Sequence, residues 1–311
     1  MPSPKSILVL GHGGFIGGRL GARLRRDYPK SRLYGCDVRV RRAAHMTEAY
    51  RCDLRDTKRL AAILRRTRPD WVFHLAGAPS GKDLAGMLDS HVLATLSLLE
   101  AAAAGKRSPR IILPGSAAEY GILKPAQMPV RESAPAHPAT AYGLAKLLQT
   151  ELAQTYMRRG LDVVVARMFN VLGAGLDRRL ALSSFVDQVV RIERGRRPPV
   201  LQVGDLTAKR DFVDIDEAVA ALIRIARRGR AGHAYNVCSG KSYPMQALVD
   251  ELLRLARRPI RLRRTRARLR PVDLPDMRGS TRKTARETGW RARRTPFACL
   301  REMLEERRRE K

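Results

Sequence analysis

The sequence predicts an α/β protein in which a doubly wound parallel sheet is followed by a smaller C-terminal α/β domain. Three observations lead to this prediction. Short apolar runs alternate with helical stretches through the first two-thirds of the 311-residue chain. A glycine-rich segment follows the first apolar run, and the alternation changes after about residue 169. Repeated strand–helix units are typical of a parallel sheet with helices on both faces.

Five apolar runs in the first half are predicted to be buried parallel strands. They are rich in Val, Ile and Leu, and they lie at residues 6–10, 32–36, 71–75, 110–113 and 162–166. Strands buried on both faces have such continuous apolar runs. Helical stretches lie between them, for example at 57–67 and 87–104.

The second half has a different pattern. Helices are predicted at 182–194, 216–228 and 245–257, strands at 209–215 and 260–266, a loop at 270–276, and a terminal helix. We therefore predict a dinucleotide-binding domain at 1–169 and a substrate domain at 170–311. Some segments of the second domain are expected to pack back on the first.

The glycine-rich segment GHGGFIG at 11–17 follows a strand and opens a helix. This context is typical of the turn in a Rossmann domain that brings the backbone close to the pyrophosphate of a dinucleotide. Asp37 lies 20 residues after Gly17, at the end of the second strand, where a carboxylate binds the ribose 2′-hydroxyl of NAD. Arg39, Arg41 and Arg42 follow and would suit the 2′-phosphate of NADP, so both cofactors stay open. The cofactor-binding residues predicted here are Gly11, Gly14, Phe15, Ile16, Gly17 and Asp37.

Two further strand ends are expected along the cofactor. Asp53 and Leu54 end a further strand, the third in chain order, which is expected between the runs at 32–36 and 71–75, and they are placed to contact the adenine. HLAG at 74–77 ends the fourth strand, so Leu75, Ala76 and Gly77 are also predicted to bind cofactor. His74 is expected to be a hydrogen-bonded core residue and not a catalyst.

Tyr142 and Lys146 open a predicted helix with the spacing i, i+4, which places both side chains on one face. An ammonium group beside a phenol is expected to lower the tyrosine pKa and to prepare it for proton exchange with a carbonyl or alcohol oxygen. Such pairs also arise by chance. Together with the glycine turn and the hydroxyl of Ser116 at the end of the intervening strand, the pair predicts a hydride-transfer site.

GHGGFIG, Asp37, HLAG, a Ser before EYG, and YGLAK together resemble the extended short-chain dehydrogenase/reductases that act on nucleotide sugars. The resemblance covers almost the whole chain. It implies that Ser116 binds the sugar keto oxygen, that Tyr142 donates the proton, and that Lys146 binds the nicotinamide ribose. The cofactor implied is NAD(P)H.

The second half most resembles the GDP-4-dehydro-6-deoxy-D-mannose reductases of that family, which form GDP-D-rhamnose. The matching segments are ARMFNVLGAG, VLQVGDLTAKRDFVDIDEAV, AYNVCSGK and LRPVDLPDMRGSTRKTARETGW. The resemblance implies a GDP-sugar substrate bound by Asn170, Ser184, Arg210, Arg270 and Asp273, with the two arginines on the diphosphate. Arginine suits this role because its planar fork bonds phosphate in bidentate fashion.

Alanines stand where related enzymes hold further reactive groups. The 4,6-dehydratases place Asp-Glu directly after the hydroxyl residue, and fucose-type synthases place Cys two residues after it; here these positions are Ala117 and Ala118. Glu119 comes one position late, and NVLGAGL contains no His. Dehydration and ring epimerisation are therefore disfavoured. A 4-epimerase uses the same trio and stays open, as does the reductase that forms 6-deoxytalose.

Three departures from the family pattern stand near the site: Ala145 for a common Ser, His91 for a frequent Asn, and Met168 for a frequent Pro. None of them falls on Ser116 or the Tyr–Lys pair. His91 bears on the local geometry of the helix near the cofactor.

The chain carries a net charge of +31, yet aromatic residues make up only 5% of it. The basic runs lack interleaved aromatic residues for base stacking, so solvated arginine-rich faces are the preferred interpretation and nucleic-acid binding is disfavoured. A polyanion-binding protein is the non-enzymatic alternative.

The four cysteines have no metal-binding or redox spacing, so no metal is expected. No apolar stretch approaches the ~20 residues of a membrane span. We expect a cytoplasmic protein, and the resemblance implies a homodimer.

Overall fold

A computed structural model of the chain describes residues 3–39, 44–77, 83–105, 107–266 and 274–310. The strands in these ranges are β1 Ser6–Leu10, β2 Arg32–Asp37, β3 Glu48–Arg51, β4 Trp71–His74, β5 Arg110–Ser116, β6 Val163–Met168, β7 Asn170–Leu172, β8 Val200–Val203, β9 Lys209–Asp214, β10 Ala234–Val237, β11 Ser242–Pro244, β12 Arg261–Arg264 and β13 Asp276–Met277.

The helices alternate with these strands in the first half, as predicted. They are α1 Phe15–Asp27, α2 Thr57–Thr67, α3 Leu84–Met87, α4 Ala94–Ala103, α5 Ala141–Arg158, α6 Ala181–Glu193, α7 Ile215–Arg228, α8 Met245–Arg254, α9 Arg282–Thr288 and α10 Pro296–Arg309. A π-helical turn, Leu88–Leu93, joins α3 to α4, and a 3₁₀ turn, Ala117–Glu119, follows β5.

Seven parallel strands form the main sheet, in the order β10-β6-β5-β4-β1-β2-β3. Side chains alternate across β1: Ile7 and Val9 belong to the core under α1 and α7, while Leu8 and Leu10 belong to the core under α2, α4 and α5. Both faces are therefore covered by helices, and the predicted α/β class is confirmed.

The strand order reverses at β1, which lies between β2 and β4. Crevices at the carboxyl ends of strands around such a reversal are where ligands bind in doubly wound folds. The glycine turn at 11–14 directly follows β1 and so lies at this point.

The later part of the chain builds a second layer. β11, β9 and β13 form a small sheet with β7 on β9, and β12 pairs with β8. A separate apolar core lies between α6, α8 and α10. However, β10 pairs with β6 at the edge of the main sheet, and α7 packs on that sheet. The domain boundary at residue 169 stays a prediction.

Two elements differ from the sequence prediction in an informative way. β5 continues through Pro114 and Gly115 to Ser116, although it was predicted to end at residue 113. The helix predicted at 87–104 begins at Leu84 and contains the π turn. The described residues contain no helix long and apolar enough to cross a membrane.

Candidate active site

Ser116 ends β5 beside the first turn of α5, which carries Tyr142. The Ser116 Oγ accepts a hydrogen bond from the Ala118 N–H at 3.2 Å and caps the 3₁₀ turn. Thr140 caps α5 and sets its start, so that Tyr142 faces the end of β5. Ser116 also hydrogen-bonds Tyr142, and this contact favours the phenolate. The structure thus brings together the two hydroxyls that the sequence singles out.

The pKa of Tyr142 is raised above its usual value. Burial is the main cause, the nearby Glu119 carboxylate adds to it, and the hydrogen bond from Ser116 opposes it. The expectation that Lys146 lowers this pKa is therefore wrong for this structure. The phenol stays protonated at neutral pH and is available as a proton donor.

Lys146 lies one turn further along α5 and is buried. Its Nζ donates to the Pro114 carbonyl and to Gln149 Oε1, both at 2.5 Å. Burial lowers the pKa of Lys146 to about 8, and the Glu119 carboxylate opposes this shift. The ammonium group is held by these two oxygens.

A buried polar chain that the sequence analysis missed supports Lys146. Gln149 Nε2 donates to Thr95 Oγ1 at 2.7 Å, and Thr95 Oγ1 in turn donates to the His91 carbonyl at 2.6 Å. His74 Nε2 lies 2.9 Å from the same Thr95 oxygen. Burial lowers the pKa of His74 to about 3, so His74 is a neutral, hydrogen-bonded core residue.

His91 lies inside the π-helical turn, a feature frequent at functional sites. Its ring meets the Tyr142 ring edge-on, with centroids 5.7 Å apart. It also fills the space beside Gly77, where a Cβ would lie 2.5 Å from the imidazole. The sequence marks His91 only as a departure from the family pattern; in the structure it buttresses the tyrosine.

Glu119 is completely buried and forms an ion pair with Arg167 at 2.9 Å. Its other carboxylate oxygen accepts the Ser116 N–H at 2.6 Å. The Thr150 hydroxyl donates at 3.2 Å to the Glu119 oxygen that Arg167 contacts. Because of these contacts, Glu119 stabilises the turn after β5. Both of its carboxylate oxygens are already bonded, which disfavours a role for Glu119 as the acid or base of a dehydration.

A cavity of about 500 Å³, the strand-end cavity, opens at the carboxyl ends of β1, β2 and β4. Among the residues lining it are most of the predicted cofactor-binding residues: Gly11, Gly14, Asp37, Asp53, Leu54, Leu75, Ala76 and Gly77. It is also lined by residues for which the sequence predicts no cofactor contact, among them Gly13, Val38, Arg55, Asp89 and Ser90.

The glycines of the strand-end cavity fit a dinucleotide. Gly11 has φ +82°, and a Cβ there would lie 2.6 Å from the Ala76 nitrogen. A Cβ at Gly17 would lie 2.1 Å from the Gly11 carbonyl oxygen, so Gly17 allows α1 to approach the turn closely. Among the described residues, no side chain caps the start of α1, and its first turn holds no acid. The amide groups of that turn are therefore available to bind an anion. Phe15 and Ile16 start this helix and pack on the core.

Asp37 extends from the end of β2 toward the glycine turn, and its Oδ2 accepts the Gly13 N–H at 3.1 Å. This places a carboxylate where a ribose would lie. Arg39 lines the same cavity, and Arg55 holds Asp53 through a 2.7 Å ion pair that lowers the Asp53 pKa. Arg41 and Arg42 lie outside the described residues.

A second cavity, of about 660 Å³, is here named the β9 cavity. Asn170 and Arg210 line it, as a substrate site would require. Asn170 Nδ2 donates to the Asp211 carbonyl at 2.9 Å, and Arg210 donates to the Lys209 carbonyl at 2.8 Å and to that of Leu274. The lining also includes residues that the sequence analysis did not single out, namely Arg179, Leu180, Phe185, Gln202, Leu206, Phe212 and Thr265.

Of the other residues predicted to bind the GDP-sugar, Ser184 is described and is not among the residues lining this cavity. Ser184 is half-buried on α6, one residue from Phe185, which does line the cavity. Arg270 and Asp273 lie outside the described residues. The segment VLQVGDLTAKRDFVDIDEAV at 200–219 contains Gln202, Leu206 and Phe212, but no pattern within it distinguishes lining from core positions.

Comparisons with known proteins agree with this geometry. The family profile described as "Epimerase: NAD dependent epimerase/dehydratase family" matches residues 7–238. A GDP-6-deoxy-D-mannose reductase from Pseudomonas aeruginosa is 31% identical over 303 residues, covering 96% of this chain and 95% of the relative. A dTDP-6-deoxy-L-talose 4-dehydrogenase (NAD(P)(+)) from Kitasatospora kifunensis is 30% identical, covering 97% and 95%.

The solved structure of RMD from Pseudomonas aeruginosa complexed with NADPH superimposes with a TM-score of 0.85 at 29% identity, covering 98% of each chain. The fold is therefore shared over essentially the whole length. The chain belongs to the NAD-dependent epimerase/dehydratase family, the extended short-chain dehydrogenase/reductases, and is an NAD(P)-dependent enzyme of this nucleotide-sugar-modifying family.

Proposed function

We propose that the protein reduces the C4 keto group of GDP-4-dehydro-6-deoxy-D-mannose with NAD(P)H and forms GDP-D-rhamnose. One observation carries the proposal. Two hydroxyl groups, of Ser116 and Tyr142, converge at the end of β5, and the adjacent positions hold only the methyl groups of Ala117 and Ala118. Such a site can polarise and protonate a carbonyl oxygen, and neither alanine can act as the second acid or base that elimination requires.

Tyr142 and Ser116 act on the keto oxygen in this proposal. Bound NAD(P)H supplies the hydride that C4 accepts. Ser116 Oγ and the Tyr142 hydroxyl donate hydrogen bonds to the oxygen, and Tyr142 transfers its proton as the alkoxide charge develops. Because the Tyr142 pKa is raised, the residue starts in the protonated form that a reduction needs.

Lys146 and Gln149 position the cofactor side of the site. Lys146 has a pKa of about 8 and is therefore charged below that pH. Its ammonium group is held by the Pro114 carbonyl and by Gln149. Its ammonium group is expected to bind the nicotinamide ribose, and the Gln149–Thr95 chain keeps it in place. In the strand-end cavity, Asp37 would bind the adenosine ribose and the start of α1 the pyrophosphate.

The β9 cavity is proposed to hold the GDP part of the substrate. Arg210 supplies a planar fork for a phosphate, and Asn170 of β7 lines the same cavity. Ser184, Arg270 and Asp273 stay predicted substrate residues. The similarity to the Pseudomonas GDP-6-deoxy-D-mannose reductase favours a GDP-sugar.

Two alternatives from the same family use the same trio. A nucleotide-sugar 4-epimerase would oxidise C4 and reduce it from the other face, whereas a 6-deoxytalose-forming reductase would deliver hydride to the opposite face. The 30% identity to a 6-deoxy-L-talose 4-dehydrogenase favours keeping the latter. The homodimer and the cytoplasmic location stay predictions.

The test is to incubate the protein with GDP-4-dehydro-6-deoxy-D-mannose and either NADH or NADPH. We expect stoichiometric cofactor oxidation, followed as loss of absorbance, and a product identified as GDP-D-rhamnose by nuclear magnetic resonance. GDP-6-deoxytalose as product would establish the second reductase instead. Interconversion of two sugars without net cofactor oxidation would identify an epimerase and contradict the proposal.

A further inference from the structure

A third cavity, of about 560 Å³, lies apart from the cofactor and substrate regions and is here named the basic cavity. Its walls are the loop at 131–133, the start of β10, and α9, with Arg167 of β6 at one side. It shares no lining residue with the strand-end cavity or the β9 cavity. Neither the proposed reaction nor its cofactor uses it.

The walls of the basic cavity are connected by hydrogen bonds in which main-chain groups take part. Val130 pairs with Gly279 in a β-bridge, and the Ser280 N–H donates to the Val130 carbonyl at 2.8 Å. The Asn236 N–H of β10 donates to Glu132 at 2.9 Å, and Thr284 of α9 donates to the Asn236 carbonyl at 2.8 Å. The cavity is thus held open by the fold itself.

Several basic side chains line this cavity. Arg282, Lys283 and Arg286 project from one side of α9, and Arg131 comes from the facing loop. Arg282 and Arg286 are spaced i, i+4, an arrangement in which like charges repel. Within the part of the chain that the structure describes, Arg131, Arg282 and Lys283 form no ion pair, whereas Arg286 pairs with Glu287 at 2.9 Å.

The two acids nearby are engaged by other groups. Glu132 is held by the Asn236 N–H, and Glu287 accepts from the Tyr235 hydroxyl at 2.7 Å as well as from Arg286. Lys283 instead stacks over the Tyr235 ring at 4.9 Å. Burial lowers the Lys283 pKa most and the neighbouring arginines add to this shift, although the two carboxylates oppose it.

We propose that the basic cavity is a binding site for a small multiply charged phosphate anion, with Arg131, Arg282 and Lys283 as its ligands. Guanidinium forks arranged around a concavity match the oxygens of a phosphate group, and three converging cations match a diphosphate or longer chain. A concave site of this volume, with no Phe, Tyr or Trp among the lining residues that the structure describes, favours a small anion over a nucleic-acid strand.

Arg167 connects this site to the catalytic end of β5. Arg167 lines the basic cavity, and its guanidinium bonds Glu119, whose carboxylate accepts the Ser116 N–H. The Arg167–Glu119 ion pair therefore lies between the basic cavity and Ser116.

Equilibrium dialysis of the full chain against pyrophosphate, with saturating NADPH to fill the strand-end cavity, tests the proposal. We expect the wild-type protein to bind pyrophosphate and the variant Arg282→Gln/Lys283→Gln to bind it at least about tenfold more weakly for each charge-assisted hydrogen bond that the substitutions remove. Arg131→Gln, on the facing wall, should show the same direction and guards against a local folding defect in α9.

One control removes charge elsewhere. Arg254→Gln/Arg301→Gln removes two cations that pair with Glu251 and should bind pyrophosphate like the wild type. Arg210→Gln removes the cation of the β9 cavity, and with it any pyrophosphate bound there, and should leave binding in the basic cavity unchanged. The proposal is wrong if the wild type binds none, if Arg254→Gln/Arg301→Gln weakens binding as much as the cavity variants, if Arg210→Gln abolishes the binding, or if a single-stranded oligonucleotide displaces pyrophosphate at lower concentration.

Discussion

Tyr142 is subject to influences of opposite sign, and their balance decides its role. Burial and Glu119 raise its pKa, while the hydrogen bond with Ser116 favours the phenolate. The balance leaves a protonated phenol beside a hydroxyl, an arrangement for giving a proton. The His91 ring packed against Tyr142 restricts its orientation further.

Replacing Tyr142 by Phe removes this proton donor and little else. We expect kcat for the reduction to fall at least about 10²-fold, because proton transfer contributes 10²–10⁴-fold in such reactions. Cofactor absorbance measures the rate, and NADPH fluorescence should show that cofactor binding persists. Tyr156→Phe, on the same helix, is the matched control and should retain activity; near-normal turnover of Tyr142→Phe would refute the mechanism.

Gln149 acts on the reaction through Lys146. It holds the ammonium group at 2.5 Å, a contact that favours the charged form. Because Lys146 has a lowered pKa of about 8, kcat/KM is expected to be full below this pH and to decline as pH rises through it. Gln149→Leu should move this alkaline limb to lower pH, and Gln149→Glu should move it to higher pH.

A pH–rate profile of kcat/KM for the three proteins checks this prediction. A merely structural role of Gln149 would lower the rate at every pH and leave the limb where it was. An unshifted limb in both variants would therefore rule out Gln149 as a positioning residue.

At the scale of elements, β5 and the turn after it form the framework of the site. Proline lacks an N–H and is normally confined to sheet edges. Pro114 is accommodated here because β4 pairs with β5 only as far as Ile112, while β6 pairs with β5 up to Ser116. Beyond Ile112 the strand has one neighbour, and the freed Pro114 carbonyl accepts from Lys146. The strand thus ends in a backbone that serves the site.

The buried Glu119–Arg167 pair stabilises this same turn, and its loss should be a folding defect. Glu119→Ala leaves the buried Arg167 guanidinium without its countercharge, although its bonds to the Tyr120 hydroxyl and the Glu132 carbonyl remain; losing one partner of a buried ion pair typically costs about 3–5 kcal/mol of unfolding free energy. Urea denaturation measures the loss. The double variant Glu119→Ala/Arg167→Met should recover part of it, because no buried charge then remains unpaired.

The opposite pattern would change the chemistry assigned to the protein. If Glu119→Ala kept the wild-type stability but lost turnover, Glu119 would be a reacting group, and elimination would return as a candidate reaction. Thr57→Ala, which removes a hydroxyl that contacts Ser97 away from the site, is a control for the measurement.

At the scale of the whole molecule, the positive charge is used in several ways. Some arginines are structural: Arg308 pairs with Glu193 at 2.5 Å and fixes α10 to α6, and Arg110 is buried and pairs with Asp162 at 2.8 Å. The net charge of +31 nevertheless leaves many cations without an acid. Many of these cations are exposed, and the basic cavity is one of the concave spaces around which they converge; a smaller one is lined by Arg178, Arg191, Arg194, Arg196 and Arg307.

Most of the central sheet was predictable because its signal is local. Five strands were placed within a few residues of their observed ends, and α2 was predicted with its observed bounds. The strand before Asp53 was expected and is β3, whereas the short strands β7, β8, β10, β11 and β13 were not predicted, since two to four residues carry too little periodicity. The end of β5 was missed because it depends on where β4 stops.

The sequence by itself determined the dinucleotide turn, the Tyr–Lys pair and the serine hydroxyl, because each is written in residues a few positions apart. Only the tertiary structure decided that Lys146 bonds Gln149 and Pro114, that Glu119 is occupied by Arg167 from 48 positions away, and that β10 returns to the main sheet. These features depend on which strands become neighbours and in which register. Such pairings join residues far apart in the chain, and no short pattern encodes them.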